Sequence, residues 1–247
     1  MSRWKAAGIH ICISMLIGLV SATLTFFVWY PHPYSQAAGA DKLVLILLGV
    51  DVVLGPLLTL IVFRAGKWGM RFDLTVIAVA QACAFLYGTS VVVRARPAFV
   101  VANVDRFNLV AANDIDDADY AKAKRPEFRS APWTGPRLIG ALPPTDIHER
   151  NKIVLAGPGG KDIDTMPQYY VDYADVARNI LQRAKTIDEL TKQQPDAKPL
   201  IEAWLHTHGR DAADIKWVPL IARRATLTML LDGQTGATLD VLPIVPW

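Results

Sequence analysis

The sequence predicts a membrane protein in which three N-terminal transmembrane α-helices precede an α+β soluble domain with an antiparallel sheet. Three observations predict it. Apolar runs fall at about residues 8–30, 43–63 and 74–93, and a bilayer core of about 30 Å needs roughly 20 such residues in helical form. The 247-residue chain is 52% hydrophobic, but that excess sits in the first 93 residues, and the rest carries 20 basic and 20 acidic side chains. The late stretches alternate apolar and polar residues, as half-buried strands do. The chain therefore divides into a transmembrane region, 1–94, and a domain, 95–247.

The net charge of +3 belongs to the first 93 residues, so the neutral remainder gives no electrostatic reason to expect nucleic acid as a partner. Both cysteines, Cys12 and Cys83, lie in apolar runs, which excludes a disulfide scaffold or a paired-cysteine metal site in the domain.

Arg3 and Lys5 precede the first run, as in a signal peptide. The run exceeds the usual 7–15 apolar residues of such peptides, and no small-x-small cleavage site follows, so a retained helix is expected. The second run carries an acid, Asp51, and a helix-breaking proline, Pro56. Asp51, Gly55 and Thr59 are spaced four apart and share one helix face, a pattern that admits a close, hydrogen-bonding helix. Pro56 frees the carbonyl of Val52 and predicts a kink beside the acid. Three uses of that face are open: an internal bond to Gln81 of the third run, a partner's helix, or a proton or ion path. Asp73 reads as the N-cap of the third helix.

Loop charges give the orientation. Arg3, Lys5, Arg64, Lys67 and Arg71 mark the cytoplasmic side, and "PHPYSQAAGAD" has no Lys or Arg. Three spans then place the domain across the membrane, although Arg94 and Arg96 oppose the rule. Trp4, Trp29, Tyr30, Trp68 and Tyr87 fall near span ends, where aromatic rings prefer to sit.

In the domain, "AFVVANVDRFNLVAA" predicts a strand or hairpin. "IKWVPLIA" predicts another strand, and residues 226–241, turning at "DGQTG", a terminal hairpin. Val176, Ala177, Ile180, Leu181 and Ala184 have helical spacing. Thr186 and Glu189 form a capping box for a second helix, and Pro199 and Gly209 bound a third.

Candidate chemistry is sparse. His206 and His208 are two apart and do not share a face. "DIDDADY" lacks the central glycine and closing glutamate of a calcium loop, and "GPGGKDID" lacks phosphate-loop spacing. No catalytic set, metal site or cofactor is expected. Tyr169, Tyr170 and Tyr173 are candidates for partner contact, with core packing as the alternative.

The stretches "MSRWKAAGIH", "GVDVVLGPLLTLIVF", "KWGMRFDLTVIAVAQ", "RPAFVVANVDRF" and "GGKDIDTMPQYYVDYA" together resemble the type IV pilin accessory proteins of the TfpX/TfpZ type. The resemblance covers the membrane part and, in blocks, the domain. It implies a multi-pass protein of the Gram-negative inner membrane with a periplasmic domain, which helps a cognate major pilin to be stable or assembled and has no catalytic residues. The resemblance does not name pilin contacts; on physical grounds a small, polar intramembrane face such as that of Asp51, Gly55 and Thr59 suits holding the pilin helix while the domain covers its head. The rival readings are a pilin-modifying enzyme and a membrane-bound sensor.

Overall fold

The computed structural model describes residues 2–63, 68–157 and 161–247. Arg64 and Lys67 of the orientation argument, and residues 158–160 of "GPGGKDID", lie outside the described residues.

Among the described residues three helices are long and apolar enough to cross a membrane: Arg3–Trp29, Ala40–Val62 and Met70–Arg94. All start earlier than the apolar runs, because the backbone keeps its hydrogen-bond ladder through the polar flanks. The first is α1 (Arg3–Leu24), capped by Ser2, and it ends in a π-helical turn, Thr25–Trp29. A short helix, α2 (Tyr34–Ala38), connects to the second candidate span. That span is built from α3 (Ala40–Gly49), a π-helical turn at Val50–Leu54, and α4 (Gly55–Val62). The expected disturbance beside Pro56 thus takes the form of a π turn that carries Asp51. Pro56 has no N–H for the Val52 carbonyl, and the ladder widens in the turn before it.

The third span is α5 (Met70–Arg94). Its N-cap is Gly69, which corrects the expectation for Asp73. The Asp73 N–H bonds to the Gly69 carbonyl at 3.1 Å, so the acid sits inside the first turn. There its charge still complements the positive end of the helix.

Residues 97–242 build an eight-stranded sheet. Its strands are β1 (Pro97–Asn103), β2 (Arg106–Ala111), β3 (Arg137–Ala141), β4 (Tyr170–Asp172), β5 (Lys185–Thr186), β6 (Ile215–Ile221), β7 (Thr226–Asp232) and β8 (Thr238–Leu242). The order is β4-β3-β1-β2-β6-β7-β8, with β5 also on β6. The sheet is mixed, which corrects the antiparallel expectation. β1 runs parallel to β3, and β2 parallel to β6. Parallel neighbours need long crossovers, and both arise because the chain leaves the β1–β2 hairpin and returns much later on either side of it.

The hairpins and capped helices read from the sequence are present. The β7–β8 pair turns through Gly233 and Gly236. The helices are α6 (Asp117–Tyr120), α7 (Ile147–Ala156), α8 (Ala174–Leu181), α9 (Ile187–Gln193) and α10 (Lys198–His208). The Thr186–Glu189 capping box starts α9, and Gly209 closes α10 in the left-handed conformation. Every residue of β1 is buried. Val100 and Ala102 face a core shared with Val176 and Ile180 of α8, while Phe99 and Val101 face Phe128 and Tyr170.

The domain is bound closely to the helical part. Ala37 belongs to the domain core, with Tyr34 packed against it. The Arg96 guanidinium donates to the carbonyls of Val93 (2.6 Å) and Pro132 (2.8 and 3.0 Å) and lies over Trp133. Burial in the absence of an acidic partner lowers its pKa from the usual arginine range. Satisfied by carbonyls alone, this cation fastens the end of α5 to the domain.

Candidate functional site

The polar face of the middle span is buried. Asp51 is 9% exposed and Thr59 4%. α1 packs along α4 and the π turn on one side, and α5 packs on α3 and α4 on the other. Thr59 Oγ1 lies 2.7 Å from Nδ1 of His10 in α1, a contact across two spans. Gly55 is the point of closest approach to α5, where any Cβ would overlap the Gln81 side chain. The sequence pattern of small and polar residues therefore serves first to join the protein's own helices.

The Asp51–Gln81 bond is not formed. Asp51 Oδ1 and Gln81 Oε1 are both buried without a hydrogen-bond partner among the described residues. Burying a polar atom without a partner is costly, and Asp51 also lines a cleft of about 300 Å³ between α3 and α5. His10 was missed in the sequence, where a lone histidine near the start of an apolar run carries no spacing signal.

A second cleft opens between α1 and α5, which both lean on the middle span and scarcely touch each other. It measures about 440 Å³ and is walled by Leu16, Val20, Leu24, Leu47, Phe85 and Val92. Thr89 also lines it, and its Oγ1 is buried and unpartnered. The result is a largely apolar trough in which Thr89 holds a hydroxyl without a partner among the described residues. α5 has the most open surface of the three spans, with only 6% of its apolar window buried.

The three tyrosines separate. Tyr170 is 3% exposed, stacks edge-on against Phe99 and Phe128, and donates its hydroxyl to the Asp164 carbonyl. Tyr173 packs on Phe107 and donates to the Gly236 carbonyl at 2.5 Å. Burial pushes the Tyr173 hydroxyl up to about 12. Tyr169 is half-buried, packed on the same core as Tyr170. All three rings pack against core residues, Tyr169 and Tyr173 with part of their surface exposed.

The two acidic and glycine-containing motifs meet in space. Lys161 bonds to Asp119 (2.5 Å) and Asp116 (2.9 Å), and Lys122 bonds to Asp119 at 2.5 Å. Lys122 and then Lys161 hold the Asp119 carboxyl below the usual carboxylate range. This pins the segment after residue 160 to α6, a structural use. His208 stacks on Trp204 and its Nδ1 lies 2.8 Å from the Trp204 carbonyl. Among the described residues no group of His, Cys, Asp and Glu is arranged to hold a metal.

At the far end of the domain, an open cleft of about 860 Å³ lies beside α7 and the β1–β2 turn. Val154 of α7 lines it, and Ile147 and Leu155 are also exposed on that helix. Asp164, at its edge, has its carboxyl pushed up to about 6 by burial, with the neighbouring Asp162 charge acting in the same direction.

Comparison with known proteins gives one consistent result. The family model "Fimbrial assembly protein FimB" matches residues 1–39. The fimbrial assembly protein of serogroup I from Dichelobacter nodosus is 33% identical over 254 residues, covering 96% of this chain and 93% of that protein. The serogroup E1 protein of the same organism matches with the same identity and coverage. The protein of serogroups C1 and C2 is 38% identical over 113 residues, 45% of this chain and 86% of its own length. No solved structure matches the chain.

Proposed function

The chain belongs to the fimbrial assembly protein family, and from that membership we propose that it is a non-enzymatic accessory factor for a type IV pilin. It sits in the inner membrane with its N-terminus in the cytoplasm and residues 95–247 in the periplasm. A pilin awaiting assembly presents a long apolar helix in the membrane and a periplasmic head. This protein holds the helix and shields the head until the subunit enters the fimbria. The work is done by binding, and no bond is made or broken.

The observation that carries this reading is the trough between α1 and α5. Three spans that closed into a bundle would leave no lateral seat, whereas here two of them stand apart on the third. Thr89 supplies a hydroxyl, and on the other side of α5 Asp51 supplies a free carboxylate oxygen. Polar contacts between membrane helices average only about 0.6 kcal/mol, so shape and apolar packing carry most of the grip. The exposed Ile147, Val154 and Leu155 of α7 are the surface for the pilin head.

The experiment is co-purification of pilin with the full chain from membranes, comparing wild type with Val20→Trp, which fills the trough. Retention of a stoichiometric pilin band by wild type and its loss in the variant support the proposal. Equal retention sinks the trough as the seat. Orientation is tested separately: a phosphatase fused after Trp247 is active, and one fused at Lys67 is inactive. The opposite pattern overturns the periplasmic placement.

A further inference from the structure

A second cavity, of about 390 Å³, lies where the helical part meets the domain. Its charged lining residues are three arginines, Arg94, Arg223 and Arg224, and one acid, Asp114. Its apolar lining includes Leu43 from the first turn of α3 and Val91 from the last turn of α5. Those two residues mark the ends of two candidate spans on the domain side. The cavity therefore sits at the depth where headgroups replace acyl chains.

The charges in it are unevenly matched. Asp114 is fully engaged: its Oδ1 accepts from Arg223 at 2.5 Å and its Oδ2 from the Ala111 N–H at 2.8 Å. The Arg94 and Arg224 side chains donate no hydrogen bond to any described residue. Arg224 is nevertheless held in place. Its N–H bonds to the Ala37 carbonyl at 3.0 Å, and its side chain lies across Gly39, where a Cβ would stand 2.6 Å from Cδ and Nε. Gly39 has φ +81°, so the turn both requires glycine and leaves the space that the arginine occupies. With three cations against one anion, the cavity has two positive charges to satisfy.

We propose that this cavity binds the phosphate of an anionic phospholipid headgroup, with Arg94 and Arg224 as its ligands. A planar guanidinium matches phosphate oxygens in pairs, and basic pockets beside membrane helices are suited to anionic headgroups. The apolar floor of Leu43 and Val91 receives the start of the acyl chains, which a free phosphate lacks. The cavity also explains why Arg94 stands on the side of the membrane that the loop-charge rule keeps poor in cations. The inference depends on the helices spanning a bilayer and is independent of pilin binding.

The test reconstitutes the full chain into nanodiscs of phosphatidylcholine with or without phosphatidylglycerol, extracts it gently, and counts retained lipid by native mass spectrometry. Wild type retains phosphatidylglycerol, and Arg94→Gln and Arg224→Gln each reduce retention by about tenfold, in line with the loss of one charged pair. Arg71→Gln, at the opposite end of α5, leaves it unchanged. Because Arg94 is exposed and donates no hydrogen bond to a described residue, Arg94→Gln folds normally, and Arg94→Lys restores part of the retention. Equal retention of phosphatidylcholine, or retention unaffected by both variants, overturns the proposal. Displacement of the lipid by millimolar inorganic phosphate also overturns it, since the site is then one for free phosphate.

Discussion

The Tyr30 hydroxyl donates to the carbonyl of Val92 at 2.8 Å, and Tyr30 has no exposed surface. One residue closes the first span and the other lies in the last turns of the third, so this bond ties the two flanking helices at the end where the domain begins. The same helices are apart along the trough below. Tyr30→Phe keeps the ring and removes the bond, and is expected to lower stability by about 1 kcal/mol. Tyr30→Ala is expected to cost about 3–5 kcal/mol through the cavity it opens. Thermal unfolding of the full chain in detergent measures both.

Gly55 and Gln81 make a paired prediction. Gly55→Ala drives a methyl group into the Gln81 side chain and is expected to destabilise the helix pair by about 1–3 kcal/mol. Gln81→Ala should relieve most of that loss when combined with it. A double-mutant cycle in detergent reads the coupling, and additive effects would show that the two helices do not meet at this point.

For Asp51, the absence of a bond to Gln81 fixes the expected pattern. Asp51→Leu removes a buried unpaired acid and is expected to leave the isolated protein inserted and no less stable, since an acid at mid-bilayer costs about 2.5–3.5 kcal/mol. Pilin level and piliation should fall, and Asp51→Asn should lose less. Cells carrying Asp51→Leu with normal pili would return this acid to a purely internal role.

Asp164 gives the domain a pH dependence. Its carboxyl titrates near 6 in the folded chain, above its ordinary value, so the folded state binds the proton more tightly. Stability from this group is greatest below the unfolded value and declines as pH rises from about 4 to 6, by roughly 3 kcal/mol at most. Asp119 acts in the opposite direction and lower down: its lowered carboxyl stabilises above the ordinary range and is lost as pH falls below it. Asp164→Asn should flatten the slope between pH 4 and 6, and chemical denaturation across that range measures it.

The tyrosines separate packing from binding. Tyr170→Ala is expected to cost about 3–5 kcal/mol, and Tyr173→Phe about 1 kcal/mol through its lost bond to Gly236. Tyr169→Ala should cost less than Tyr170→Ala. If pilin co-purification falls with Tyr169→Ala while unfolding is unchanged, that half-buried ring is a contact.

Local signals in the sequence were read where the chain decides its own conformation. Length and apolarity located three candidate spans within a few residues, and the capping box at Thr186 and the stop at Gly209 needed only neighbouring residues to act. The β6, β7 and β8 strands were equally legible, because each is joined or flanked by short turns. β3 and α7 gave no such signal. "RLIGA" is short and buried at one end, and α7 has an exposed apolar side that breaks the amphipathic pattern.

The family resemblance was also carried by sequence alone, and the likeness to the serogroup I protein extends over 96% of the chain. Tertiary structure decided the rest. Whether Asp51, Gly55 and Thr59 face an own helix or a partner depends on how α1 and α5 lean on the middle span, which no spacing rule encodes. The parallel pairs β1–β3 and β2–β6 bring together segments separated by long crossovers, and only packing of both sheet faces selects them. Arg94, Arg96 and Arg224 look alike as letters. One is sealed by carbonyls and two are left facing a cavity, because charge is local in sequence but its neutralisation is a matter of what folds against it.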